Sequence, residues 1–250
     1  MNPIHCHIIL FPMTPERIFM KNYTSILFDL DGTLSRSAEG ITKSLQYGLT
    51  AIGIEEPDLS KLTRFIGPPL NVELAAFYHL SSEDIGKVIG KFRERYETIG
   101  IYECEPYPGI AALIRDLHAK GYSLAVSSSK PEPHVKEMIR RFGIADNFDF
   151  LCGSSIEDEL ANKSGTDNKE KIIRRTLKLL QEKDADRKFP RTVMVGDTKY
   201  DIIGAKKNSV DAIGVTYGYG TREELIEAGA DFLADSVDEL RALLLGERQL

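Results

Sequence analysis

Short apolar runs recur along this chain with amphipathic stretches between them. Five of them, 24–29 (TSILFD), 122–127 (YSLAVS), 148–152 (FDFLC), 192–196 (TVMVG) and 211–215 (DAIGV), are almost unbroken by polar positions. Such runs predict strands buried on both faces, as in a parallel sheet covered by helices. Residues 110–120, 133–142, 169–182 and 200–207 instead space their apolar positions as helices do. Gly121 and Gly143 stand where helix-ending glycines belong. Strands alternating with helices predict an α/β fold with a doubly wound, Rossmann-like parallel sheet.

One stretch interrupts the alternation. Between 37 and 105 the only periodicity is helical, around 41–52, 70–78 and 84–99. That length suffices for a small domain, which predicts an inserted α-helical cap at 37–105 between core segments 20–36 and 106–250. The insert leaves the chain just past the carboxyl end of the first strand, the edge at which α/β sheets bind ligands. Within it, Gly67-Pro68-Pro69 reads either as a rigid helix break or as a substrate-facing turn. Residues 1–19 lack a basic start, and Pro12 and Pro15 interrupt their apolar part, so a dispensable extension is expected rather than a signal peptide. His5, Cys6 and His7 have no second cluster to complete a metal site.

Composition narrows the partners. A hydrophobic fraction of 42%, a charged fraction of 28% and a net charge of −6 suit a soluble globular protein better than a binder of nucleic acid. No run approaches the apolar length of a membrane span. Three widely spaced cysteines form neither a disulfide framework nor a zinc pair, so a reducing cytoplasm is expected. Monomer and homodimer both remain open.

The candidate chemistry lies at strand ends. The first run continues as Phe28-Asp29-Leu30-Asp31-Gly32-Thr33-Leu34. Residues two apart on a strand share a face, so Asp29 and Asp31 can converge, and two neighbouring carboxylates call for a compensating cation. The fourth run ends Val195-Gly196-Asp197-Thr198-Lys199-Tyr200-Asp201, bringing further acids to the same edge. Hard oxygen donors from separate strands suit Mg2+ better than zinc. Ser127, Ser128 and Ser129 close the second run before a helix and offer donors to an anion. Lys169, after the capping-type residues Asp167 and Asn168, is expected at a helix start, and Lys163 competes for its role. Tyr217 and Tyr219, set between glycines, read as turn residues, and no chemistry is assigned to His79, His118 or His134.

These elements, in this order, resemble the haloacid dehalogenase superfamily, whose pattern runs D-x-D-G-T, a strand-end Ser or Thr, a Lys, then G-D-x-x-x-D. Phe65-Ile66-Gly67-Pro68-Pro69-Leu70, Tyr107-Pro108-Gly109, Ser129-Lys130-Pro131 and the 214–220 segment (GVTYGYG) are similar to its phosphoglycolate phosphatase-like branch. The resemblance implies Asp29 as nucleophile forming an aspartyl-phosphate and Asp31 as general acid and base. It also implies Mg2+ held by Asp29, Asp197 and the Asp31 backbone carbonyl, with Asp201 in support. Phosphate binding would fall to Ser128, Ser129, Lys169, Gly32 and Thr33. Two departures stand out: Arg36 occupies a place often acidic, and the loop before Lys169 is long.

The expected activity is hydrolysis of a small phosphorylated metabolite, with 5′-nucleotidase or pyrophosphatase activity as alternatives. Asp31 argues against a dehalogenase, and Gly196 against a β-phosphoglucomutase, which typically carries an acid there. A phosphonate hydrolase would need a Schiff-base lysine, for which Lys43 and Lys61 are available. The rival from another class is a non-catalytic phosphometabolite sensor, which would have no need of both Asp29 and Asp31.

Overall fold

The first apolar run becomes the middle of the sheet. A computed structural model describes residues 23–155, 166–183 and 191–246. Six parallel strands lie in the order β5-β4-β1-β6-β7-β8: β1 (Ser25–Phe28), β4 (Ser123–Pro131), β5 (Phe150–Ser154), β6 (Thr192–Gly196), β7 (Asp211–Val215) and β8 (Phe232–Ala234). From β1 the chain winds outward both ways, which makes the sheet doubly wound. In register Phe28 lies beside Val126 on one side and Val195 on the other. The carboxyl ends of β1, β4 and β6 therefore share one edge, at the switch point where such sheets open a crevice.

Side chains alternate across the sheet, and both faces are apolar. Ile26, Phe28, Val126, Val195 and Ile213 belong to one buried cluster, while Leu27, Ala125, Met194 and Ala212 belong to a second. This two-faced burial is why the strand runs lack polar alternation.

The helical stretch contains α1 (Ala38–Thr50), a 3-10 turn (Leu59–Phe65), α2 (Leu70–Tyr78) and α3 (Ser82–Thr98). They enclose a separate apolar cluster of Leu45, Leu49, Leu62, Phe65, Leu74 and Val88. At its base, β2 (Ser35–Arg36) pairs antiparallel with β3 (Glu105–Pro106). Arg36 meets Glu105 across this ribbon at 2.9 Å, so the unusual basic residue is matched by an acid on the returning strand.

The remaining helices are α4 (Ile110–Ala119), α5 (Glu132–Arg141), α6 (Thr166–Lys183), α7 (Lys199–Lys207), α8 (Arg222–Glu227) and α9 (Val237–Leu245). Several boundaries differ from expectation. β4 runs on to Pro131 rather than stopping at Ser127, and β8, α8 and α9 are elements beyond those expected. The predicted extension 1–19 lies outside the described residues.

Candidate active site

Two acids leave β1, and the structure sends them to different partners. Asp29 continues the strand, its amide donating to the Val195 carbonyl at 2.9 Å, and its side chain is buried. Beside it stand Asp197, at the exit of β6, and Asp201, in the first turn of α7. Each of the three offers a carboxylate oxygen, and these atoms lie within 4.8 Å of one another. Gly32 makes the approach possible. Its φ is +81°, and a Cβ there would meet Asp197 Oδ2 at 2.0 Å.

Asp197 is fixed from two sides. The Thr33 hydroxyl donates to its Oδ1 at 3.1 Å, and the Tyr219 amide donates to its Oδ2 at 2.8 Å. Asp201 accepts from the amide and hydroxyl of Thr198, at 3.0 and 2.8 Å, so it also caps α7. Asp201, a metal residue in the sequence reading, lies within the carboxylate cluster.

Lys169 enters from α6. Its Nζ lies 2.7 Å from Asp29 Oδ1 and 2.6 Å from Asp201 Oδ1, and it donates to the Ser127 carbonyl at 3.1 Å. The helix, expected from 169, already runs from Thr166, so Lys169 falls in its first turn, at the amino end expected of it, and Asp167 and Asn168 have helical backbone. The apolar positions of α6 start later than the backbone helix, which explains the misplaced boundary. Lys163 lies outside the described residues. Ser128 is buried and helps hold the Asp29 carboxyl down, whereas Ser129 follows half-buried on the same strand. Successive strand residues face opposite ways, so one serine of the pair reaches the acid.

Burial pushes the Asp29 carboxyl up to about 6, with Lys169 pulling it down and Asp201 pushing it up. Asp197 is raised well above the carboxylate range by burial, and Asp201 and Asp29 add to this. Burial alone would lower Lys169, but Asp201 and Asp29 more than offset it and keep the ammonium charged. Were all three carboxylates ionised, they would exceed the Lys169 ammonium by two negative charges in a buried space, which is why burial and mutual repulsion raise Asp29 and Asp197. A divalent cation matches that excess, and an all-oxygen donor set fits a hard metal. Asp29, Asp197 and Asp201 can therefore hold a metal ion.

Asp31 turns away from this cluster. Its Oδ2 accepts from Lys130 Nζ at 2.8 Å. Lys130 stands in the Ser129-Lys130-Pro131 motif, but its contact with Asp31 spans 99 positions and leaves no local signal. Tyr219 was likewise read as a plain turn residue. Its hydroxyl accepts from the Ser37 and Ala38 amides at 2.8 and 2.9 Å, where α1 has no side-chain cap of its own. Above the site, a Cβ on Gly67 (φ +99°) would meet Thr198 Cγ2 at 2.9 Å, so the Gly67-Pro68 turn lies against the loop that follows β6. Lys43 pairs with Glu39 and Glu103, and Lys61 with Glu56.

Enzymes that work with strand-end acids keep them at this edge of a doubly wound sheet, and fold and site together put the chain in that class of α/β proteins. The chain belongs to the haloacid dehalogenase-like hydrolase family, whose model matches residues 26–215. It is an enzyme, a hydrolase with phosphatase-named relatives. A 5′-nucleotidase of Pseudomonas aeruginosa is 38% identical over 81% of this chain and 87% of its own length. A phosphoglycolate phosphatase of Vibrio vulnificus is 30% identical over 88% and 95%. The tyrosine-protein kinase PtkA of Mycobacterium tuberculosis is 32% identical over 88% and 72%. Among solved structures, a predicted phosphatase from Clostridium acetobutylicum is 41% identical, covers 90% of this chain and 99% of its own, and superposes with a TM-score of 0.80.

Proposed function

We propose that the chain is a Mg2+-dependent phosphomonoester hydrolase acting on a small phosphorylated metabolite through an aspartyl-phosphate on Asp29. One observation carries the reading: two acids from one strand have separate surroundings. Asp29 belongs to a carboxylate cluster that can hold a metal, and Asp31 stands outside it on its own lysine. Separate surroundings suit separate roles in acid–base and nucleophilic chemistry.

Asp29 attacks phosphorus while Asp31 gives a proton to the departing alcohol. Asp31 then takes a proton from the water that releases phosphate from Asp29. Lys169 and Ser128 steady charge on the transferring group, with Gly32 and Thr33 around it. Mg2+, held by Asp29, Asp197, Asp201 and the Asp31 backbone carbonyl, would screen the negative charges that otherwise keep a carboxylate from a phosphate. The helical segment 37–105 acts as a cap over this edge and carries substrate selection, with the Gly67-Pro68 turn facing the loop beside Asp197. Described cysteines Cys104 and Cys152 are free thiols, as a reducing cytoplasm would keep them. Among the described residues no helix is long and apolar enough to cross a membrane.

Relatives named 5′-nucleotidase and phosphoglycolate phosphatase set the first substrates to try. The test is phosphate release from 2-phosphoglycolate, nucleoside 5′-monophosphates, other sugar and glycerol phosphates, and pyrophosphate, with and without Mg2+. Wild type should release phosphate only with the metal, and Asp29→Asn should release none. Tight binding without turnover of any compound would favour the sensor instead. Adding ATP with a tyrosine peptide tests the activity named for the mycobacterial relative, and no phosphotyrosine is expected.

A further inference from the structure

Lys130 is an ammonium in a place that rarely holds one. Its side chain is 6% exposed, and its partner Asp31 is 13% exposed. Such a charge persists in the interior only when its surroundings compensate it. Asp31 Oδ2 lies 2.8 Å from Nζ on one side, and the ring of Tyr96 stands 4.6 Å away on another.

Tyr96 comes from α3 in the helical segment, and it is 3% exposed. Phe92 stacks on its ring at 5.3 Å, His134 packs against it at 5.7 Å, and its hydroxyl donates to Met138 Sδ at 3.9 Å. Lys130 also lies where β4 shifts register against β5, between Ser127 and Pro131. Irregularities of this kind re-aim side chains beside active sites. Asp31 Oδ1, by contrast, is buried and has no hydrogen-bond partner among the described residues. The two oxygens of one carboxylate are thus in different states, one anchored and one open.

We propose that Lys130, roofed by Tyr96, is a positioning residue that anchors Asp31 Oδ2 so that Oδ1 alone exchanges protons with the leaving group and with water. The inference rests on reading Asp31 as the general acid and base. As an Asp29 oxygen bonds to phosphorus and the bond from phosphorus to the leaving oxygen breaks, the proton on Oδ1 passes to that oxygen. In the second step a water oxygen bonds to phosphorus, the bond to Asp29 breaks, and the water's proton returns to Oδ1. Inorganic phosphate leaves, and the acid is restored. Because Tyr96 belongs to the helical segment, the arrangement also ties proton transfer to that segment's seating on the sheet edge.

The test compares phenyl phosphate, whose leaving oxygen needs a proton, with p-nitrophenyl phosphate, whose leaving group departs without one. Single-turnover rates of phosphoryl transfer are measured for wild type, Lys130→Met and Asp31→Asn, with KM from steady state. Lys130→Met should slow phenyl phosphate by about 100-fold, the scale of general acid catalysis, with p-nitrophenyl phosphate within about threefold of wild type and KM little changed. A structural role alone would slow both compounds alike, and that result overturns the inference, as does no change in either. Asp31→Asn separates the two claims. If it shows the split and Lys130→Met does not, Lys130 lacks the role; if Asp31→Asn shows no split, the parent reading of Asp31 falls and the inference with it. Should Lys130→Met fail to fold, as circular dichroism would report, Tyr96→Leu decides. Removing the roof should give the same split at about tenfold, and equal slowing of both compounds would overturn the proposal.

Discussion

Lys169→Met removes the ammonium that, among the described residues, pairs with two of the three clustered carboxylates, and its consequences follow from the distances. The substitution keeps most of the side-chain volume but deletes two ion pairs, at 2.7 and 2.6 Å, and a bond to the Ser127 carbonyl. Breaking a buried pair while its partner stays behind costs about 3–5 kcal/mol. For a chain of this size each kcal/mol moves the melting temperature by about 2–4 °C, so a fall on the order of 10 °C is expected in chelator. The sign with pH is also fixed. Burial holds Asp29 above its ordinary 3.8, at about 6, so its ionisation erodes stability as pH rises through that interval. Without Lys169 nothing comparable pulls that carboxyl down, so the deficit should be larger at pH 8 than at pH 5, the lost pair with Asp201 contributing at both. Lys199→Met is the control, since its pair with Glu224 spans 3.3 Å between groups 45% and 44% exposed. It should cost less than about 1 kcal/mol. Urea unfolding at both pH values measures the difference. A Lys169→Met deficit below about 1 kcal/mol, or one equal at the two pH values, would refute the charge argument.

Three further outcomes follow from the site. Gly32→Ala places a Cβ against Asp197 and a side chain at positive φ, so kcat should fall by about 100-fold from the displaced carboxylate, read by phosphate release beside a melting curve. Tyr219→Phe leaves two amides at the start of α1 without their acceptor and should cost about 1–2 kcal/mol in urea unfolding. Mg2+ should raise the melting temperature at pH 7.5 but hardly at pH 5, because protons compete for Asp29 and Asp197, and the rise should vanish in Asp197→Asn.

The parts of this protein that show in its sequence are those where one period dominates. β1, β6 and β7 are unbroken apolar runs because helices cover both faces. Asp29, Asp197 and Asp201 were legible because a buried strand running straight into acids is a costly pattern. What stayed hidden depends on contacts between distant segments. Neither the meeting of Lys130 with Asp31 nor the reach of Tyr219 to the start of α1 leaves any mark in local spacing. The start of α6 was misplaced because its first turn is polar and no apolar stripe marks it.

The central claim is a covalent phosphoryl group on Asp29. Enzyme mixed with substrate and Mg2+, quenched in acid and digested, can be read by mass spectrometry after borohydride reduction, which converts an acyl phosphate to an alcohol. The account predicts that change at Asp29 and nowhere else, and its loss in Asp29→Asn. Full phosphate release by Asp29→Asn, or a phosphoryl group on another residue, would contradict it.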